Sequence, residues 1–197
     1  MSSPATQSSP AGEVPVEVDV DAGFARMRQF EPTFGARIED RRAVAEPLGL
    51  GPEDLHPSLV ARVVSTGTEY LIVPAASEAA VASAHPDPVR LGVLLADAGA
   101  HGCYLFSSQG QMAKARAFFV DSGLDEDPGT GSAAGPLGAY LLHEGATEPG
   151  RLTISQGVEV GRPCTLLVDV ADGGGEWQVF VGGGVARVGA GAFDVEA

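Results

Sequence analysis

The sequence predicts an α+β fold: a strongly curved antiparallel sheet or barrel wrapped around one central, buried helix. Three observations lead there. Short apolar runs of strand length fill most of the chain, and one of them, "VPVEVDV" (Val14–Val20), alternates with period two. The segment "SAAGPLGAYLLHEG" (Ser132–Gly145) is apolar almost all round, the pattern of a helix covered on every side. Strands, rather than alternating strand–helix units, follow that segment, which argues against a doubly wound parallel sheet.

The elements follow in chain order. Residues 1–14 are Ser, Pro and Ala with little to bury and read as a disordered tail, ahead of a single lobe over 15–197. After the Val14–Val20 strand, "ARMRQF" (Ala25–Phe30) reads as a second. "IEDRRAVAEPLGL" reads as a short helix begun near Asp40 and stopped by Pro47. "ARVVST" and "EYLIVPA" are strands around a turn at Gly67, and "ASEAAVASA" has helical composition. "DPVRLGVLLADAG" carries a full helix signature, with Asp87 as N-cap, Pro88 at the first helical position and Gly99 past the end. "CYLFSS" and "KARAFFV" are strands before the buried helix. "RLTIS", "CTLLVDV", "WQVFVG" and "VARVG" are strands after it.

Composition excludes several classes of partner. The chain has 197 residues, 44 % of them hydrophobic, enough for a sizeable core. The net charge is −14, and the 12 Lys and Arg are scattered. A nucleic-acid surface or an anionic membrane requires clustered cations, so neither is expected. The two cysteines, Cys103 and Cys164, lack metal-ligand spacing and sit in apolar runs, as small buried hydrophobes do. "MSSPATQSSPAGEVP" has no apolar core of a secretory signal, and no run reaches transmembrane length. A cytoplasmic protein with reduced thiols is expected.

The stretch with chemistry in it is "EDPGTGSAAG" (Glu126–Gly135). Pro128 fixes φ and ends any strand. Gly129 and Gly131 leave no side chain to block a ligand, Ser132 reads as the N-cap, and Pro136 falls early in the helix. Backbone N–H groups turned outward at a helix N-terminus attract an anion. A carboxylate beside a bound anion is held protonated to higher pH and can serve as a general acid. Asp127 is therefore a candidate acid next to a cradle for a substrate's carboxylate. The simpler alternative is that Asp127 caps its own turn. "GTGSAA" fits a loose dinucleotide fingerprint, but "DSGLDEDP" separates it from the strand and no acid follows about 20 residues on. A P-loop lacks its Gly-Lys-Ser/Thr ending. His56, His85, His101 and His143 have no mutual spacing that suggests a metal. His143 reads as a partner of the helix C-terminus, Arg162 as a surface or strand-end residue, and Gln156 and Gly157 as structural turn residues.

"RAFFVDSGLDEDPGTGSAAGPLGAYLLHEG", followed by "ISQGVEVGRPCTLLVDV" and "VFVGGGVARVGAG", resembles the PhzF-like phenazine-biosynthesis family, whose members share the diaminopimelate-epimerase-like fold. "MRQFEPTFG", "LGLGPEDL" and "VVSTGTEYLIVPA" are similar to the middle of such proteins, so the likeness runs over roughly residues 15–197. The resemblance implies two similar lobes, each a curved sheet around a helix, closing on a cleft. It implies that Asp127 is a cleft carboxylate, that Thr130, Gly131 and Ser132 hold the substrate's acid group, and that a proton is moved between carbons without metal or organic cofactor. Epimerases of this fold use paired cysteines, but neither Cys103 nor Cys164 stands in a matching motif. The family's first-lobe Ser-Glu-Thr segment and its Gly-His-Pro or Gly-Asn-Pro turn do not appear, and Glu69 in "TGTEYLI" matches the second lobe instead. The expectation is a second lobe acting on a small carboxylate-bearing metabolite and completed by a separate first-lobe chain or by a second copy of itself. A non-catalytic anion-binding or assembly module, or a truncated product, is the alternative.

Overall fold

The computed structural model describes residues 2–9, 12–120, 126–172, 176–186, 188, 189 and 191. Twelve strands form one sheet. They are β1 (Ser2–Ser9), β2 (Gly12–Asp19), β3 (Phe24–Arg28), β4 (Thr33–Ile38), β5 (Ala61–Ser65), β6 (Glu69–Pro74), β7 (Gly102–Gln109), β8 (Met112–Phe118), β9 (Glu126–Asp127), β10 (Gly150–Gln156), β11 (Cys164–Asp172) and β12 (Trp177–Gly184). Four α-helices, α1 (Arg41–Ala45), α2 (Glu78–Ser83), α3 (Pro88–Ala98) and α4 (Gly131–His143), pack on it. The strand order is β1-β2-β3-β12-β11-β10-β8-β7-β6-β5-β4, with β9 added beside β8.

The sheet is mixed rather than wholly antiparallel. β6–β7 and β8–β10 are parallel pairs. Parallel neighbours need a long crossover, and helices supply both. α2 and α3 carry the chain from β6 to β7, and α4 carries it from β8 and β9 to β10. The two crossovers lie on opposite faces. α4 joins the core of Tyr104, Phe106, Leu137, Tyr140, Leu152 and Ile154. α2 and α3 pack over a second core that includes Val63, Leu71, Val73, Leu91, Leu95 and Leu105. Alternation along β6 divides it between them, with Tyr70 and Ile72 on one side and Leu71 and Val73 on the other.

The sheet curls far enough for α4 to touch β11 and β12 on one flank and β5 and β6 on the other. Phe34 of β4 reaches Trp177 of β12 at 5.6 Å between ring centroids. Thr66, just past β5, donates to the Gln29 Oε1 that follows β3. The helix can lie this close because its faces are small. A Cβ on Gly138 would stand 2.7 Å from Val168 Cγ1, and one on Gly135 would collide with the Gln29 side chain.

Local signals set the helix ends. Asp40 accepts from the N–H groups of Arg42 and Ala43, and Asp87 from those of Val89 and Arg90. Gly99 closes α3 in the left-handed conformation at φ 69°. Pro47 ends α1 in a single tight 3₁₀ turn, Glu46–Leu48.

Three expectations need correction. Residues 2–9 and 12–14, expected in a disordered tail, lie in β1 and β2, which pair along the whole length of β1. Backbone hydrogen bonds need no apolar side chains, and an edge strand tolerates Pro4. β4 was not foreseen, because a bulge between Phe34 and Arg37 breaks its alternation. No strand forms at 185–189: β12 ends at Gly184, residues 185, 186, 188 and 189 are irregular, and Arg187 lies outside the described residues.

Candidate functional site

The turn that carries Asp127 is built from three directions. The first is β9, only two residues long, in which Asp127 pairs with Ala117 and Glu126 with Phe118. Neighbouring strand residues point to opposite faces. Asp127 therefore goes to the face of α4 and Glu126 to the face of α2. Glu126 is held there by both its oxygens, accepting from Arg116 Nε at 2.9 Å and Nη2 at 2.7 Å. Arg116 Nη1 also donates to the carbonyls of Val81, Ala82 and Ala84 at the end of α2. A bidentate guanidinium thus ties β9 to a helix terminus.

The second direction is Gln156, fully buried at the end of β10. Its Nε2 donates to the Asp127 carbonyl at 2.7 Å and to Thr130 Oγ1 at 3.0 Å. Its Oε1 accepts from Thr130 N at 3.3 Å and from the Tyr104 hydroxyl at 2.8 Å. Burial pushes the Tyr104 phenol far up, and the nearby Asp127 and Tyr70 push the same way, so Tyr104 stays a neutral donor. The third direction is the Gly157–Pro163 loop under Pro128. Gly157 has φ 80°, and a Cβ there would stand 2.3 Å from the Arg162 carbonyl and 2.6 Å from that of Pro128. Only glycine fits.

On this scaffold the Asp127 carboxylate is half-buried. Oδ2 accepts from Thr130 Oγ1 at 2.6 Å, and Oδ1 lies 3.5 Å from Gly129 N. The turn-capping alternative is thus present in the structure, and it leaves Oδ1 with one long contact. The N-cap is Thr130 rather than Ser132, and its hydroxyl goes to Asp127 instead of the helix. Pro136 consequently falls in the interior of α4, not in its first turn. The N–H groups of Gly131 and Ser132, the first two of the helix, find no partner among the described residues. Ser132 is exposed, and its Oγ lies 2.8 Å from the Tyr70 hydroxyl. Burial raises the Tyr70 phenol, against the Ser132 hydrogen bond and with the Asp127 charge. Gln29 Nε2 donates to the Gly131 carbonyl at 3.0 Å and pins the first turn from the β3–β4 link.

The structure therefore brings together Asp127, Thr130, Gly131 and Ser132. It does not bring the cysteines together in one site. Cys103 is buried in the core under α3, where burial pushes its thiol up to about 12. Cys164 begins β11, close enough to Gly129 that a Cβ on that glycine would lie 3.1 Å from its sulfur. His143 is exposed and stacks on Phe34 at 4.1 Å, Arg162 is exposed, and Glu69 begins β6, its carbonyl accepting from His101 N. No three His, Cys, Asp or Glu among the described residues are grouped to hold a metal ion. Sequence reasoning missed Tyr70, Tyr104, Arg116 and Glu126. All four face inward from strands, and only the strand alternation hinted at it.

A curled sheet closed on a glycine-rich helix, with an acid at that helix's N-terminus, defines an epimerase-like fold. The chain belongs to the phenazine biosynthesis-like protein family, PhzC-PhzF, whose model matches residues 2–191. It is 31 % identical to the uncharacterized isomerase YfhB of Bacillus subtilis over 88 % of this chain and 61 % of that protein. It is 36 % identical to trans-2,3-dihydro-3-hydroxyanthranilate isomerase of Pseudomonas chlororaphis, over 53 % of this chain and 37 % of that one. A predicted epimerase of Pseudomonas aeruginosa superposes with a TM-score of 0.80 at 33 % identity, over 93 % of this chain and 64 % of its own. The chain thus spans less than two thirds of the length of these relatives. No helix among the described residues is long and apolar enough to cross a membrane.

Proposed function

We propose that the chain is the Asp127-bearing lobe of a cofactor-independent isomerase that moves a proton between carbons of a small carboxylate-bearing metabolite. The observation that carries this reading is Asp127 beside the amides of Gly131 and Ser132, which have no partner among the described residues. Asp127 transfers the proton, while Gly131 and Ser132 form the cradle in which the substrate's carboxylate sits, and Thr130, expected there too, braces it from within because its N–H and hydroxyl are already engaged by Gln156 and Asp127. A helix N-terminus favours such an anion by roughly 0.3–1 kcal/mol, and up to ~2 when partly buried. A proton shift needs both a donor and an acceptor. In this reading the second group comes from a first-lobe chain or from a second copy, in keeping with a chain that spans less than two thirds of its relatives' length. Two unpaired cysteines agree with a reducing compartment such as the cytoplasm.

The test is deuterium incorporation from heavy water into trans-2,3-dihydro-3-hydroxyanthranilate and other small unsaturated carboxylates. It uses the protein purified with whatever native chain accompanies it. Incorporation should be lost in Asp127→Asn while the complex survives. Full incorporation by Asp127→Asn would remove the acid role. The local Thr130–Asp127 hydrogen bond favours a second reading, an anion-binding or assembly module without turnover. That reading predicts carboxylate binding in both forms and incorporation in neither.

A further inference from the structure

Hydrogen-bond polarity around Gln156 is fixed by groups that cannot reverse. Thr130 N–H can only donate, and it meets Oε1. The Asp127 carbonyl can only accept, and it meets Nε2. The amide therefore has one orientation, and the remaining Nε2 hydrogen points at Thr130 Oγ1. Thr130 is buried, with 5 % of its surface exposed. Its hydroxyl already accepts from Gln156, and among the described residues its own hydrogen goes to one acceptor, Asp127 Oδ2 at 2.6 Å. A proton placed on Oδ2 would leave the Thr130 hydrogen either turned away, with no other acceptor among the described residues, or aimed at a protonated carboxyl oxygen, which accepts poorly. Either arrangement is worse than the one in which Oδ2 stays bare.

From this chain of donors we infer that Oδ1, not Oδ2, is the working atom of Asp127, and that Thr130 and Gln156 are positioning residues that enforce the choice. The inference rests on the isomerase reading for its consequence but not for its geometry. When Asp127 gives up its proton, the Oδ1–H bond breaks and its electron pair stays on Oδ1. The new C–H bond takes its pair from the substrate's double bond. Throughout, Oδ2 keeps the Thr130 hydrogen bond, so the carboxylate does not rotate between turnovers. Oδ1 has only the 3.5 Å contact with Gly129 N to give up.

Neutron diffraction of the full chain, crystallised in heavy water at acidic and at neutral pD, reads the atoms directly. The Thr130 deuteron should lie toward Oδ2 at both values, and the Asp127 deuteron at acidic pD should occupy Oδ1. A deuteron on Oδ2, or a Thr130 deuteron turned toward Gln156, overturns the inference. Two variants supply the control. Thr130→Ser keeps the hydroxyl and should keep the deuteron on Oδ1. Thr130→Val removes it and should spread the deuteron over both oxygens. Retention on Oδ1 alone in the valine variant would show that Thr130 does not enforce the choice. These positions are read whether or not the protein turns over, so their failure is distinct from failure of the isomerase assay.

Discussion

Replacing Arg116 by Met should cost far more than an ordinary surface change. The side chain makes five hydrogen bonds: two to Glu126 and one each to the carbonyls of Val81, Ala82 and Ala84. Only 9 % of the Arg116 side chain and 11 % of the Glu126 side chain are exposed. Met fills much of the volume and keeps the apolar contact with Phe118, whose ring the guanidinium covers at 4.8 Å. What it leaves is a stranded carboxylate and three uncapped carbonyls. Removing one partner of a buried pair costs about 3–5 kcal/mol. For a chain of this size each kcal/mol lowers the melting temperature by roughly 2–4 °C, so a fall of about 6–20 °C is expected. Urea unfolding followed by circular dichroism gives the free energy. The double variant Arg116→Met with Glu126→Gln removes the stranded charge and should recover part of the loss. A single-variant cost below about 1 kcal/mol, or a double variant no more stable than the single, would refute the argument that the pair is a buried anchor for β9.

Two further outcomes follow from packing and charge. Gly138→Ala, which in an exposed helix gains up to about 1 kcal/mol, should here destabilise by roughly 1–3 kcal/mol, because its Cβ meets Val168 at 2.7 Å; urea unfolding decides the sign. His56 is held below its ordinary 6.5 by burial and by Arg41, while its Nδ1 accepts from the N–H groups of Ser58 and Leu59. A depressed histidine contributes stability that is complete above about 6.5 and is lost as pH falls through the folded value. The melting temperature of the wild type should therefore fall more between pH 7 and pH 5 than that of His56→Asn, and equal falls would remove His56 from the account.

The parts of this fold that announce themselves in sequence are those governed by local chemistry. Asp87, Pro88 and Gly99 bound α3 by capping alone, and the structure keeps those bounds. The all-apolar run from Ser132 marks the helix that the sheet surrounds. What stayed hidden depends on distant partners. β1 exists through backbone pairing with β2, which composition does not encode. Ser132 looks like the N-cap, yet Gln156, 26 residues beyond Thr130, draws Thr130 into that place through its own two-sided amide. Arg116 reads as one more charge in "KARAFFV" until β9 folds back and puts Glu126 across from it.

The two adjacent acids of β9 point to opposite sides of the sheet, one bound to a guanidinium and the other facing the helix terminus. Their duties are assigned by parity. Sliding this strand by a single residue against β8 would swap them, turning Glu126 toward the terminus of α4 and driving Asp127, one methylene shorter, at Arg116. Slippage by one step would therefore undo the Arg116 pair and the Thr130 contact together, and the paired acids act as a register mark that neither could supply alone.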